Sequence, residues 1–344
     1  MGNGENDRLP ATGSVPPAPG AGPHGGRPPE EGGTAGAVRG AVAILLRGLV
    51  DDAGLFPPAA LPMRQALARH RADRIVGHPM HTGRLLCPVG ALGDLGAHLG
   101  ADERVEVGLV VADEWEAVGG GAADPRVRVS HYEIRASGSD IGKAARYLRA
   151  AAAHAARGRR LFGRLPESAA ALPPPIYVEF DRGRRGLGNI AAIAGVPGLG
   201  ARLSCGGVEE ADFPSPDEVA AFIVACFDHG VPFRIGSGPH HAVRHTDPLS
   251  GFVHLGYLNL LAAAAVAARG GGPNKARKEL LATDPERLLG RIGGLDEATA
   301  VRIRELFVGY GSRSTRDPVV DAERLGLLDP VAVWPAGEAV RRDG

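Results

Sequence analysis

Six short apolar runs, most of them followed by glycine and then a helical pattern, constrain this chain more than any other feature. They are Arg84–Pro88 (RLLCP), Val105–Val111 (VEVGLVV), Val127–Arg135 (VRVSHYEIR), Ile176–Phe180 (IYVEF), Ala201–Ser204 and Pro232–Ile235. Strands separated by helices pair through crossovers in parallel, so the pattern predicts an α/β fold with a mostly parallel sheet. The helix with the clearest boundaries follows the fifth run. Ser215-Pro216-Asp217-Glu218 supplies an N-cap serine, a first-turn proline and a glutamate three residues past the cap. Val219, Phe222, Ile223 and Cys226 then share one face, and Gly230 ends the helix.

Further helices are expected over 37–50, 63–71, 139–157, 252–269, 275–281 and 296–308, with Asp51, Asp52 and Gly54 terminating the first. Leu306–Tyr310 offers a seventh strand. A closed (β/α)₈ barrel of TIM type uses eight strands. The expected fold is therefore TIM-barrel-like with degraded strands, and the alternative is an open doubly wound parallel sheet. Residues 1–34 are Gly, Pro and polar residues with too few apolar side chains to offset ordering entropy, so they are expected to form a disordered tail. Residues 35–330 are expected to form a single barrel-like domain and 331–344 a C-terminal tail.

The formal net charge of +0 provides no global field for nucleic acid or an anionic membrane. Three cysteines, Cys87, Cys205 and Cys226, lack CxxC spacing, which argues against a disulfide framework or a structural zinc. The longest apolar runs, AVAILLRGLV and YLNLLAAAAVAA, are shorter than a membrane span. No secretory pattern is evident at the start, so a cytoplasmic protein is expected.

Parallel sheets gather functional groups at the carboxyl ends of their strands. Glu133 and Glu179 sit within otherwise apolar strands at about the same height, and a charge there needs a partner or a role. They are the candidate acid and base. A structural ion pair with Arg135 or Arg202 is the competing reading. Of His240 and His241, neighbours on extended backbone, at most one faces a site, and a single histidine there would shuttle protons. The alternative gathers Glu133, Glu179, Asp181 and a histidine around a divalent ion, although no HxH or HExxH spacing supports a metal.

Arg182, Arg202 and Arg234 near glycine turns, with Ser204 and Ser237, predict binding of a small anion, carboxylated or phosphorylated. GRRGLGN at Gly183–Asn189 lacks the GxGxxG order and is read as not leading directly from a strand into a helix, so no dinucleotide site is predicted. No GxxxxGK[ST] or GxSxG motif occurs. No cofactor is specified by the sequence. The only lysines, Lys143, Lys275 and Lys278, end none of the strands, which disfavours Schiff-base chemistry.

DDAGLFPPAALPM, RLLCPVGAL, YVEF, ARLSCGG, GPHHAVRH and the FVGYGS–DPV–LGLL segment resemble a group of uncharacterised bacterial β/α-barrel domain proteins, from about Val38 onward. The resemblance implies a barrel and brings no established reaction. The group carries Lys-x-Arg-x-Gly-Gly at the fifth strand and Phe-Lys-Ala-Thr-Ala-Gly-x-His-His-Pro at the sixth. This chain has Arg202 and Ser204 for that Lys and Arg, Arg234 for the second Lys, and Ile235-Gly236-Ser237 for Ala-Thr-Ala. His240 and His241 are kept. The resemblance thus implies a diverged member whose strand-end lysines are replaced. The expected activity is lyase- or isomerase-type proton transfer, or else a catalytically silent barrel that binds a metabolite or a protein.

Overall fold

Val50–Asp52 is a strand, not the end of a helix. It is the member of the barrel that the sequence reading missed. A computed structural model describes residues 40–111, 124–135 and 173–329, together with Gly142 and Arg146. The expected tails and the expected helix over 139–157 therefore fall largely or wholly outside the described residues.

Helical residues 40–46 lead through Gly48, with φ +55, into β1 (Val50–Asp52). With three residues, β1 is too short to show period-two patterning. Both of its acids are nonetheless buried, Asp51 at 0% and Asp52 at 3% exposure. The following strands are β2 (His81–Pro88), β3 (Val105–Val111), β4 (Val127–Arg135), β5 (Ile176–Glu179), β6 (Leu199–Ser204) and β7 (Phe233–Gly236). A two-strand hairpin, β8 (His245–Thr246) with β9 (Val253–His254), precedes β10 (Phe307–Ser312).

The sheet closes in the order β1-β10-β7-β6-β5-β4-β3-β2, with every pair parallel. This is a closed eight-stranded barrel with interleaved helices, a (β/α)₈ TIM-barrel-like fold. No strand is degraded away: the run at Leu306–Tyr310 is β10, and the eighth strand is β1, hidden by its length.

The helices are α1 (Met63–Val76), α2 (Leu92–His98), α3 (Arg184–Ile193), α4 (Pro216–His229), α5 (Tyr257–Ala268), α6 (Pro273–Leu280), α7 (Pro285–Gly293), α8 (Glu297–Leu306) and α9 (Arg316–Arg324). The capping box of α4 forms as read, with Ser215 Oγ accepting from the Glu218 amide. GRRGLGN does lead from a strand into a helix: β5 ends at Glu179, and Gly183, with φ +95, caps α3. Helix α5 is almost wholly apolar because it is buried on all sides, packed against α4, α6, α7 and α8. No helix is long and apolar enough to cross a membrane among the described residues.

Outward-facing strand residues such as Leu85, Leu109, Val178, Leu203 and Ile235 form the core beneath the helices. Phe233 of β7 stacks on Phe307 of β10 with ring centroids 5.0 Å apart. The other face of the strands, the barrel interior, is not apolar. It carries the charges.

Candidate functional site

Six side chains form one alternating ion chain through the barrel. Arg84 donates Nε to Asp51 Oδ1 at 2.9 Å, and Asp51 Oδ2 accepts from Arg234 Nη2. Arg234 Nε donates to Glu133 Oε1 at 2.9 Å, and Glu133 Oε2 accepts from Arg202 Nε at 2.7 Å. Arg202 Nη1 then donates to Glu179 Oε2 and to Ser204 Oγ, the latter at 3.0 Å. Three guanidinium groups meet three carboxylates, so the chain is neutral.

The register explains how strands so far apart in sequence align these groups. Glu179 pairs with Arg202, and Arg202 with Arg234, in one row across β5, β6 and β7. Glu133 lies lower, opposite Tyr177, while Arg135 is the residue opposite Glu179. The expectation of equal height for Glu133 and Glu179 is thus corrected by one pleat. Glycine makes the room: a Cβ on Gly236 would lie 2.1 Å from Arg202 Nη2, and one on Gly108 would lie 2.3 Å from the His131 ring.

Burial alone would raise the Glu133 carboxyl. The Arg202 guanidinium, followed by the His131 contact, outweighs it and holds Glu133 at about 2. Burial pulls Arg234 down to about 9, still charged at neutral pH. Its Nη1 has no hydrogen-bond partner among the described residues, and its guanidinium carbon lies 5.5 Å from the Tyr177 ring centroid. Arg234 and Glu133 are 0% and 1% exposed, so neither reaches solvent.

The chain reaches the surface at both ends, at Arg84 beside a second cavity and at Glu179. The Glu179 side chain is 13% exposed, and it lines a cleft of about 450 Å³ at the carboxyl ends of the strands. Phe56 and Pro57 from the β1 loop, Ser204, Gly206, Gly207 and Ser237 line the same cleft. So do Arg135, Asp181, Arg182 and Asp212. Asp212 is occupied: its Oδ2 accepts from the amides of Val208 at 2.8 Å and Glu209 at 3.0 Å, and these bonds hold its carboxyl below the usual range.

The amides of Gly206, Gly207 and Ser237 donate to no described residue. Ser237 has φ +43, a left-handed conformation that costs a non-glycine residue about 1–2 kcal/mol. Strain of this kind at a strand end in a cleft points to a role in the site.

Of the residues singled out from sequence, the structure brings Glu179, Ser204, Ser237 and Arg182 to the cleft. Arg202 stands directly behind Glu179, whereas Glu133 and Arg234 lie deeper in the ion chain. His240 and His241 do not line the cleft. His240 Nε2 accepts from Arg313 Nε at 2.5 Å, which leaves Nδ1 to donate to Ser312 Oγ at 2.9 Å. Burial, then Arg313, keeps this ring neutral by lowering its pKa well below the ordinary value. His241 turns outward to Asp321 Oδ2 at 3.1 Å, so only one of the two histidines faces inward. Arg135, read from sequence as a strand-end residue, lines the cleft as well. Arg84 was missed, and Asp51 was read as the end of a helix; nothing local marks which arginine turns inward.

Cys205 lies beside the cleft, but burial, then Glu179, pushes its thiol up to about 12, so it is not a thiolate nucleophile at neutral pH. No three His, Cys, Asp or Glu groups among the described residues are placed to hold a metal ion. Both Glu133 oxygens are engaged by arginine, so the grouping of Glu133, Glu179, Asp181 and a histidine does not fit one.

The second cavity, of about 220 Å³, lies among α1, the β1–β2 edge and Thr315. Asp52 Oδ2, His70 Nε2, Asp73 Oδ2 and His78 Nε2 are buried around it without a hydrogen-bond partner among the described residues. Burial, then His81, lowers His78 to about 4, and burial lowers His70 and, at the barrel mouth, His240 and His254. Unfolded imidazoles take up protons near 6.5, whereas these folded ones resist protonation until lower pH. Their stability contribution is therefore full above about 6.5 and is lost as the pH falls toward about 4. His241, raised by its bond to Asp321, and Asp73, raised by burial, act in the opposite sense. Taking the protein from pH 7.5 to 5.0 is expected to lower unfolding stability by on the order of 2 kcal/mol. Urea midpoints at the two pH values check this, and an unchanged midpoint contradicts it.

Comparison with protein-family models, curated proteins and solved structures gives no match to this chain. The functional reading therefore rests on the site itself.

Proposed function

We propose that the cleft binds a small carboxylated or phosphorylated anion and that Glu179 moves a proton on it, an isomerase- or lyase-type reaction. The observation that carries this reading is the position of Glu179: it alone among the three acids of the ion chain reaches the cleft. Gly206, Gly207, Ser204 and Ser237 line the same cleft, and the amides of Gly206, Gly207 and Ser237 donate to no described residue. Unpaired amides and hydroxyl residues around one space suit the oxygens of an anion, and Arg135 and Arg182 add charge complementarity.

In this reading Arg202 is a positioning residue. It ties Glu179 Oε2 and leaves Oε1 facing the cleft, where that oxygen accepts from no described residue. The proton leaves a carbon adjacent to the substrate's carbonyl or carboxylate and passes to Glu179. The negative charge left behind is held by the amides. The same carboxyl returns the proton to a neighbouring carbon, or the charge expels a leaving group.

Deuterium exchange into small keto acids and phosphorylated ketones, followed by NMR in D₂O, tests the reaction. Exchange is expected with wild type and is expected to fall by about 10²-fold or more in Glu179→Gln. Full exchange in that variant sinks the role assigned to Glu179.

The guanidinium bond to Glu179 also favours a second reading, a catalytically silent barrel that binds the anion, because one carboxylate oxygen is already engaged by Arg202. Thermal stabilisation by anions without exchange would mark that outcome.

A further inference from the structure

A second opening adjoins the cleft and differs from it in character. It has a volume of about 250 Å³ and shares Phe180, Asp181, Arg182 and Leu203 with the cleft wall. Leu187 and Ile190 of α3 wall it on one side and Ala221 and Phe222 of α4 on the other, and Arg202, held by Glu133 and Glu179, also lines it. The GRRGLGN segment shapes it. A Cβ on Gly186 would lie 1.8 Å from the Asp181 carbonyl oxygen, so only glycine lets the start of α3 close onto the β5 end at this distance.

The carboxylates at the groove rim already have partners. Asp217 Oδ2 accepts from Arg277 Nε at 2.9 Å, and Glu218 Oε2 accepts from the Ser215 amide at 2.8 Å. They cap α4 and bridge to α6, which leaves the groove walls to act through apolar contact.

Resting on the reading of the cleft as an anion site, we propose that this groove is the other half of that site. It takes an apolar arm of the same molecule. The substrate class is then a small amphiphilic anion, a carboxylate or phosphate joined to an aromatic or branched aliphatic group. Two arguments select this occupant. The openings adjoin, sharing four wall residues, so an arm of a molecule held in the cleft is within reach of the groove. The character also shifts: Arg135, Ser204 and Ser237 line the cleft alone, whereas Leu187, Ile190, Ala221 and Phe222 line the groove alone, where Arg202, Asp217 and Glu218 are already paired. Water in such a groove is released when an apolar group replaces it, and that release favours binding.

The test uses the full chain and three probes in calorimetric titrations: inorganic phosphate, phenyl phosphate and phenol. Phenyl phosphate is expected to bind at least about tenfold more tightly than inorganic phosphate, since the ring buries apolar surface. That ratio is expected to collapse toward one in Ala221→Trp, whose indole fills the groove. Ala221→Leu, a smaller change on a partly exposed helix position, is the second variant should the first fail to fold, and is expected to reduce the ratio. Equal affinity for the two phosphates in wild type overturns the groove proposal while leaving the anion cleft intact. If inorganic phosphate does not bind but phenol does, and Ala221→Trp abolishes that binding, the anion reading fails and the groove stands. Failure of all three probes, as when another part of the chain fills the groove, overturns both.

Discussion

Arg234→Met is expected to lower the unfolding free energy by about 4 kcal/mol, the largest effect of any single substitution considered for this barrel. Arg234 is fully buried and is the only bridge between Asp51 and Glu133 in the ion chain. Methionine fills similar space but leaves two buried carboxylates facing each other across it, short of one positive charge. The cost comes from those uncompensated acids and not from lost packing. Adding Glu133→Gln to Arg234→Met is therefore expected to recover at least about 1 kcal/mol, because it removes one of the stranded charges. Urea unfolding of the two variants beside wild type checks both numbers. Arg234→Met as stable as wild type would show that the chain contributes nothing at this point.

Gly236→Ala is expected to destabilise by about 2–3 kcal/mol, although glycine-to-alanine changes on unstrained backbone generally stabilise. Gly236 has no positive φ, so the penalty is steric. The new methyl would sit 2.1 Å from Arg202 Nη2 and 2.4 Å from its Cζ. A free arginine would swing aside at little cost. Arg202 is fixed by Glu133, Glu179 and Ser204, so moving it breaks the end of the chain that presents Glu179 to the cleft. Gly83→Ala is the control. Gly83 has φ +73 but nothing within 4 Å of a Cβ, so only the backbone term of about 1 kcal/mol applies. Equal midpoints for the two variants in urea would remove the steric argument. Gly236→Ala should also reduce any Glu179-dependent exchange, an effect Gly83→Ala should not share.

The ion chain raises a question of purpose. Barrel interiors are commonly filled by branched aliphatic side chains, and an apolar replacement of a buried ion pair is often as stable or more so. Here the charged filling places a carboxylate at the mouth with a fixed orientation, since Glu179 is held by Arg202 and Arg202 by Glu133. That is the positioning a proton-transfer residue needs. The acid sensitivity expected from His70, His78, His240 and His254 arises in other places, between α1 and the strands and at the barrel mouth.

What was legible in the sequence was local. Period-two and apolar runs gave β2 to β7 to within a few residues, because a strand with one face under helices repeats an apolar side chain at a fixed interval. The Ser215–Glu218 box gave the start of α4, because a cap depends only on residues within one turn of each other. The βα alternation gave parallel pairing, because a crossover cannot join antiparallel neighbours as a hairpin does. Glu179, Ser204, Ser237 and Arg182 were found as strand-end residues, and the cleft contains them.

What only the tertiary structure decided was closure and pairing. Three residues of β1 show no period, so Asp51 and Asp52 read as the end of a helix until the neighbouring strands, β10 and β2, supplied partners for that segment. The partners of Glu133 and Glu179 are set by strand register. A shift of one pleat decides which acid meets solvent and which is enclosed, and no local signal encodes that shift. Sequence alone thus determined β2 to β7, α4 and the kinds of charge the strands carry. Barrel closure brought residues as far apart as Asp51 and Arg234 into contact and left Glu179 as the acid of that network at the cleft.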